Sequence, residues 1–306
     1  MSGSTDFGRE GVERRLTTFL GVLFALVSAF SIGTWIFSID ILTLGPLYMF
    51  TPFVAAVAVC YREGISFRRV GLRVGRKRWI VIAALWWPPV ALFIAMLSVV
   101  VPGVRFDPSL ITAETGVPDD PLWMIVGFVA LVCVMILIGV TVNAVLAFGE
   151  EFGWRGYLLW ELSPLGFWRA SASIGVIWGL WHAPLVLVGL NYPHFPIIGI
   201  AVFTLVCVLL SPIYTYLVFK GGSVLPAAVC HGVFNATGLA ALAGTDSPVL
   251  RELVASPGGA VGIVVFALVL FGIWWSGPPE MGDPFTAGSG VAPTDRPAER
   301  IGTRAE

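Results

Sequence analysis

Eight predominantly apolar stretches run through this chain of 306 residues, at roughly 16–37, 42–61, 79–101, 122–148, 172–190, 197–219, 223–243 and 254–275. Each approaches the length of about 20 residues that a helix needs to cross a bilayer. Charged residues make up only 12% of the chain, half of the roughly 25% found in soluble domains, and the mean hydropathy is +0.88. These features predict an all-α polytopic membrane protein of about eight transmembrane helices, with a core formed by the fourth to seventh. The net charge of -1 offers none of the basic excess that nucleic acid requires, so the bilayer is the first partner.

Arginine and lysine predict the orientation. Arg9, Arg14 and Arg15 precede the first run, and seven arginines and lysines crowd 62–78 against the single Glu63. That segment reads as cytoplasmic and able to lie along the lipid surface. The loop after the third run carries Asp107, Glu114, Asp119 and Asp120 against Arg105, as expected outside. The expected organisation is a cytoplasmic N-terminal segment over 1–15, a membrane domain over 16–275 and a disordered cytoplasmic tail over 276–306, with both termini cytoplasmic and the chain integral to the cell membrane. Cys60, Cys133, Cys207 and Cys230 all sit in apolar runs without CxxC spacing, which gives no disulfide framework or zinc knuckle.

Charge inside a membrane is costly and marks function by default. Between 121 and 243 the only charged residues and histidines are Glu150, Glu151, Arg155, Glu161, Arg169, His182, His194, Lys220 and His231. Glu161, Arg169, His194 and Lys220 fall between apolar runs, where solvation accounts for them. Glu151 and Arg155 are spaced i,i+4, the spacing of an ion pair along one helix face. Glu150 points about 100° away from Glu151, so the two carboxylates need not share a role. His182 lies inside an apolar run beside Gly179 and Pro184. His231 and Asn235, again i,i+4, are two donors that could hold an oxyanion or join helices. The fourth run ends near Glu150 and Glu151 at the cytoplasmic side, so the acids and both histidines are expected to meet in the cytoplasmic half, with substrates approaching from there.

In combination and order these motifs carry a resemblance. Glu-Glu-Phe-Gly-Trp-Arg at 150–155, Trp178 to His182, and His231 to Asn235 resemble the EExxxR, FxxxH and HxxxN motifs of the CPBP family. These are the CAAX-protease and bacteriocin-processing (Abi) membrane proteins, which include the type II CAAX prenyl endopeptidases. The resemblance covers about 122–243 and implies an eight-helix, glutamate-dependent intramembrane endopeptidase acting on a membrane-bound peptide or protein. It implies that Glu150 and His182 activate a water, that His231 and Asn235 stabilise the oxyanion, and that Glu151 and Arg155 shape or charge the site. Trp178 stands where the family usually has phenylalanine, with an expected effect on packing beside the cavity and none on the chemistry.

No cofactor is required by this reading. Neither HExxH nor GxSxG occurs, so an ordinary zincin or serine-hydrolase arrangement is not indicated. A zinc variant would use Glu150, His182 and His231, an acceptable catalytic ligand set with one open position. A different class of function also fits the cluster: a transporter or non-catalytic membrane protein that binds a proton or ligand there.

Overall fold

The computed structural model describes residues 3–281 and Phe285. Residues 1–2 of the expected N-terminal segment, and 282–284 and 286–306 of the expected tail, lie outside the described residues. In chain order the α-helices are α1 (Gly3–Ile36), α2 (Gly45–Tyr48), α3 (Thr51–Glu63), α4 (Lys77–Ser98), α5 (Ser109–Thr115), α6 (Pro121–Ile138), α7 (Ala144–Glu151), α8 (Leu159–Leu162), α9 (Phe167–Trp181), α10 (Ala183–Leu187), α11 (Pro196–Gly221), α12 (Leu225–Ala236) and α13 (Ala260–Trp275). Among the described residues strand is almost absent: β1 (Arg105–Phe106) pairs antiparallel with β2 (Ala243–Gly244). The protein is an all-α integral membrane protein.

Among the described residues five helical segments are long and apolar enough to cross a membrane: Glu10–Ile36, Lys77–Ser98, Pro121–Leu165, Pro196–Gly221 and Leu225–Leu242. The other three of the eight expected spans are shorter or broken, so length and apolarity alone support five. The run at 42–61 breaks at Met49 and Phe50, just before Pro52, which sits in the first turn of α3. The run at 172–190 breaks at His182, just before Pro184, where proline cannot donate an amide into a continuing helix. The last expected span is a helix of 16 residues, Ala260–Trp275.

The fourth run departs most from expectation. It does not end at Glu150 and Glu151. Helical structure continues to Leu165 through two π-helical segments, Gly139–Asn143 and Phe152–Leu158. A π-turn adds a residue per turn and is found mostly at functional sites. The second one starts immediately after Glu151, so the acids sit mid-helix and buried.

Long-range contacts sort the loops into two faces. One is basic: Arg14 pairs with Glu63 at 2.8 Å, Arg15 with Glu161 at 2.5 Å, and Arg73 Nε donates to the Gly222 carbonyl at 2.8 Å. The opposite face gathers β1, β2, residues 191–195 and the π-helical segment Leu250–Val254; there Arg105 pairs with Asp246 at 3.3 Å and the Tyr192 hydroxyl donates to the Gly258 carbonyl at 2.6 Å. Burial raises the pKa of Tyr192, which keeps that donor protonated.

Between the faces, α9 packs on α11 at backbone distance. A Cβ on Gly175 would lie 2.5 Å from Val208 Cα, and one on Gly179 would lie 2.5 Å from Thr204 Cα. This Gly-x-x-x-Gly spacing is the membrane device for close helix approach. It turns Trp178 and His182 toward α7 and α12.

Candidate active site

Three helices supply the polar cluster. Glu150 and Glu151 close α7, Trp178 and His182 lie at the end of α9, and His231 and Asn235 lie on α12. The end of α9 is anchored from a fourth direction. Tyr48 Oη donates to the Trp181 carbonyl at 2.8 Å, and Trp181 Nε1 donates to Thr51 Oγ1 at 3.0 Å.

The two adjacent acids have different partners. Glu150, 2% exposed, accepts a hydrogen bond at 2.6 Å from Trp178 Nε1. Glu151, with no exposed surface, accepts through Oε1 from Arg155 Nη1 at 2.8 Å and from His231 Nδ1 at 2.9 Å. The i,i+4 pair of Glu151 and Arg155 is therefore present, and it carries a third member from another helix. Arg155 lays its guanidinium over the Trp178 ring at 4.3 Å and the Tyr214 ring at 5.0 Å, cation–π contacts that compensate a buried cation.

Trp178 is the centre of the arrangement. Besides bonding Glu150 and covering Arg155, its ring lies 5.8 Å from that of His182 and 5.4 Å from that of His231, both edge-on. The expectation that tryptophan here alters only packing is corrected: its N–H, which phenylalanine lacks, bonds the carboxylate. His182 Nδ1 lies 2.8 Å from the Trp178 carbonyl oxygen. A carbonyl only accepts, so Nδ1 carries the proton and Nε2 of the neutral ring is the acceptor.

Glu150, Trp178, His182, His231 and Asn235 all line one cavity of about 680 Å³, within the usual range for small-molecule and peptide pockets. Its walls are apolar, with Leu185, Phe203, Val206 and Leu210 among them. Glu151 and Arg155 do not line it; they sit behind His231 and Trp178. Asn235 is exposed on the last turn of α12, one turn from the buried His231.

Lining residues also come from the loops, namely Leu42, Asn191, His194 and Gly258, and from Arg251 and Glu252 of the π-helical segment Leu250–Val254. These belong to the face opposite the basic one, so the cavity does not open toward 62–78 as the sequence suggested. His194, read as a solvated turn residue, keeps a half-exposed side chain but is hydrogen-bonded through Nδ1 to the buried Glu252, whose Oε2 also accepts from the His194 amide at 3.1 Å. Glu161 corrects the solvation reading outright. It is 5% exposed in α8 and paired with Arg15.

Sequence reasoning missed Tyr214, which stacks on His231 at 5.6 Å with 22° between the rings. Nothing local distinguishes it, because its role depends on α11 crossing α12. For a metal, each imidazole Nδ1 is bonded to a protein oxygen, an arrangement that also orients histidines ligating through Nε2, but among the described residues no group of three or more His, Cys, Asp or Glu side chains is arranged to hold an ion.

Residues 121–237 match the family model of the type II CAAX prenyl endopeptidase Rce1-like proteins, and Glu150, His182, His231 and Asn235 all fall within that span. A stretch of 46 residues is 44% identical to CAAX prenyl protease 2 of Methanococcus maripaludis. It covers 15% of this chain and 17% of that protein, so the likeness spans well under a fifth of the relative's length.

Proposed function

We propose that this chain, whose residues 121–237 are an Rce1-like region consistent with the CPBP family, is an intramembrane endopeptidase that hydrolyses a peptide bond of a membrane-associated polypeptide with a water activated by Glu150 and His182. The single observation that carries the reading is the convergence of one carboxylate, two imidazoles and one carboxamide from three helices on a common, largely apolar cavity.

The chemistry follows from the hydrogen bonds. Glu150 is oriented by Trp178 with its second oxygen available to a water, and it acts as the general base. His182 is held by the Trp178 carbonyl with Nε2 as an acceptor and orients the same water. The hydroxide attacks the substrate carbonyl while Asn235 and His231 donate to the developing oxyanion. His231 already donates from Nδ1 to Glu151, so donation from Nε2 requires the doubly protonated ring. Glu151 supplies its counter-charge.

With Glu150 and Glu151 ionised and Arg155 and His231 cationic, the four buried groups sum to zero charge, which is what a buried charge network needs. Protonated Glu150 then returns its proton to the leaving amine. Four side chains, Glu150, His182, His231 and Asn235, thus carry water activation, oxyanion stabilisation and leaving-group protonation, and the reading uses no metal.

The decisive experiment is Glu150→Gln, nearly isosteric and unable to act as a base. General acid–base groups contribute about 10² to 10⁴ in rate, so cleavage of a processed membrane polypeptide should fall at least ~100-fold while the folded protein persists. Unchanged cleavage would remove the protease reading and leave the cluster as a ligand or proton site.

A further inference from the structure

A separate apolar groove of about 330 Å³ runs between α4, α11 and α13, and it shares no lining residue with the larger cavity. Ile213, Leu217 and Ile273 form its buried floor, and Trp79, Trp86 and Tyr216 its half-buried walls. Ile82, 42% exposed, and the exposed Gly272 lie along its open edge. A Cβ added at Gly272 would meet nothing within 4 Å. On a membrane-spanning bundle such an edge faces hydrocarbon, and the apolar lining suits an acyl chain.

One end of the groove is chemically different. Trp79 follows Lys77 and Arg78 in the first turn of α4, and Tyr216 and Lys220 stand one turn apart near the end of α11. Backbone bonds hold these two helix ends together: Arg76 N donates to the Gly221 carbonyl at 2.8 Å, and Val224 N to the Gly71 carbonyl at 3.1 Å. The Trp79 and Tyr216 rings meet edge-on with centroids 6.0 Å apart, and Lys220 Nζ lies over the Tyr216 ring at 5.2 Å. Donors gather here without an acceptor. Trp79 Nε1 is buried and has no hydrogen-bond partner among the described residues, a costly state for an N–H. No ion pair among the described residues engages Lys77, Arg78 or Lys220.

We propose that this groove binds an anionic phospholipid, with an acyl chain against Trp86, Ile213, Leu217 and Ile273 and the phosphate at the polar end, where Trp79 Nε1 and Lys220 donate to it and Lys77 and Arg78 add their field. Charge complementarity selects this occupant, as basic pockets between spanning helices do for anionic headgroups. A zwitterionic lipid offers the same chains and phosphate but brings a cation of its own beside Lys220. The bound lipid ties α13 to α4 and α11, which carry the cavity-lining residues Trp87 and Phe203. The assignment stands independently of the protease reading.

The test titrates the full-length protein in detergent micelles with dioleoyl phosphatidylglycerol or dioleoyl phosphatidylcholine and counts bound lipid by native mass spectrometry. A basic side chain near an anionic surface contributes about fivefold in affinity. With two or more engaged, phosphatidylglycerol should bind at least ~10-fold more tightly than phosphatidylcholine. Lys220→Gln should cut that preference about fivefold. Gly272→Phe fills the groove from its open edge and should abolish the tightly bound lipid, together with any rise in melting temperature on adding phosphatidylglycerol.

Equal binding of the two lipids overturns the proposal and leaves annular lipid only. A preference that survives in Gly272→Phe also overturns it, by placing the anionic lipid elsewhere on the basic surface between 62 and 78. Because Gly272 is exposed and faces open space, the substitution should leave the fold in place; if it does not, Ile82→Trp blocks the same edge from α4. Neither readout involves cleavage, so failure of the protease reading leaves this test intact.

Discussion

The indole Nε1 of Trp178 donates to Oε2 of Glu150 at 2.6 Å, and neither residue is more than 3% exposed. Hydrogen bonds to a charged acceptor in a dry site are the strong kind. This one fixes the orientation of the carboxylate proposed as the base, and the same ring touches both histidines and the arginine. Its loss should therefore be felt at the chemical step.

Trp178→Phe keeps an aromatic ring and removes the N–H. A hydrogen bond to a charged group contributes about 1.5–3 kcal/mol, of which about half is expected at the transition state. The variant should lose roughly tenfold in kcat, or about 1.4 kcal/mol, with KM nearly unchanged. Steady-state kinetics on a cleaved membrane peptide checks this, and an unchanged kcat would leave Trp178 as packing alone.

Glu151→Gln leaves the Arg155 guanidinium buried without its counter-charge. Breaking one side of a buried pair costs about 3–5 kcal/mol, so thermal unfolding in detergent should drop by many degrees. Adding Arg155→Met removes the uncompensated cation and should restore much of the stability. Activity should stay low in the double variant, because His231 has lost the acceptor that balances its charge. Recovery of both stability and activity would confine Glu151 to a structural part.

Gly179→Ala inserts a methyl group 2.5 Å from Thr204 Cα, where only backbone displacement can accommodate it. Overpacking of this kind costs about 1–3 kcal/mol. The shift separates α9 from α11 and moves Trp178 and His182 with it. Both melting temperature and kcat should fall, whereas Gly272→Ala, where an added Cβ meets nothing within 4 Å, should change neither.

Treatment with a strong chelator followed by dialysis should leave cleavage unchanged. The proposed chemistry runs on Glu150, His182, His231 and Asn235 as acid–base and oxyanion-binding groups. Loss of activity that returns with added zinc would instead assign Glu150, His182 and His231 as ligands.

What the sequence determined by itself is what depends on neighbours along one helix. Apolar runs of bilayer length determined the membrane class. The 3.6-residue period determined that Glu151 would meet Arg155 and that Glu150 would face elsewhere, and the order of the three motifs identified the residues that gather at the cavity.

Tertiary structure decided everything that depends on how helices cross. Residues 28 positions apart, Glu150 and Trp178, meet because Gly175 and Gly179 let α9 sit against α11 and turn its indole toward α7. Arg15 buries Glu161 across 146 positions, so a residue that looked solvated became part of the interior. Proline-linked breaks at Met49–Phe50 and at His182 shortened two expected spans. Spacing carries no information on which end of the bundle is sealed. The backbone bonds between 71–76 and the α11–α12 turn decided that, closing the basic end and leaving the cavity to open among the loops of the other face.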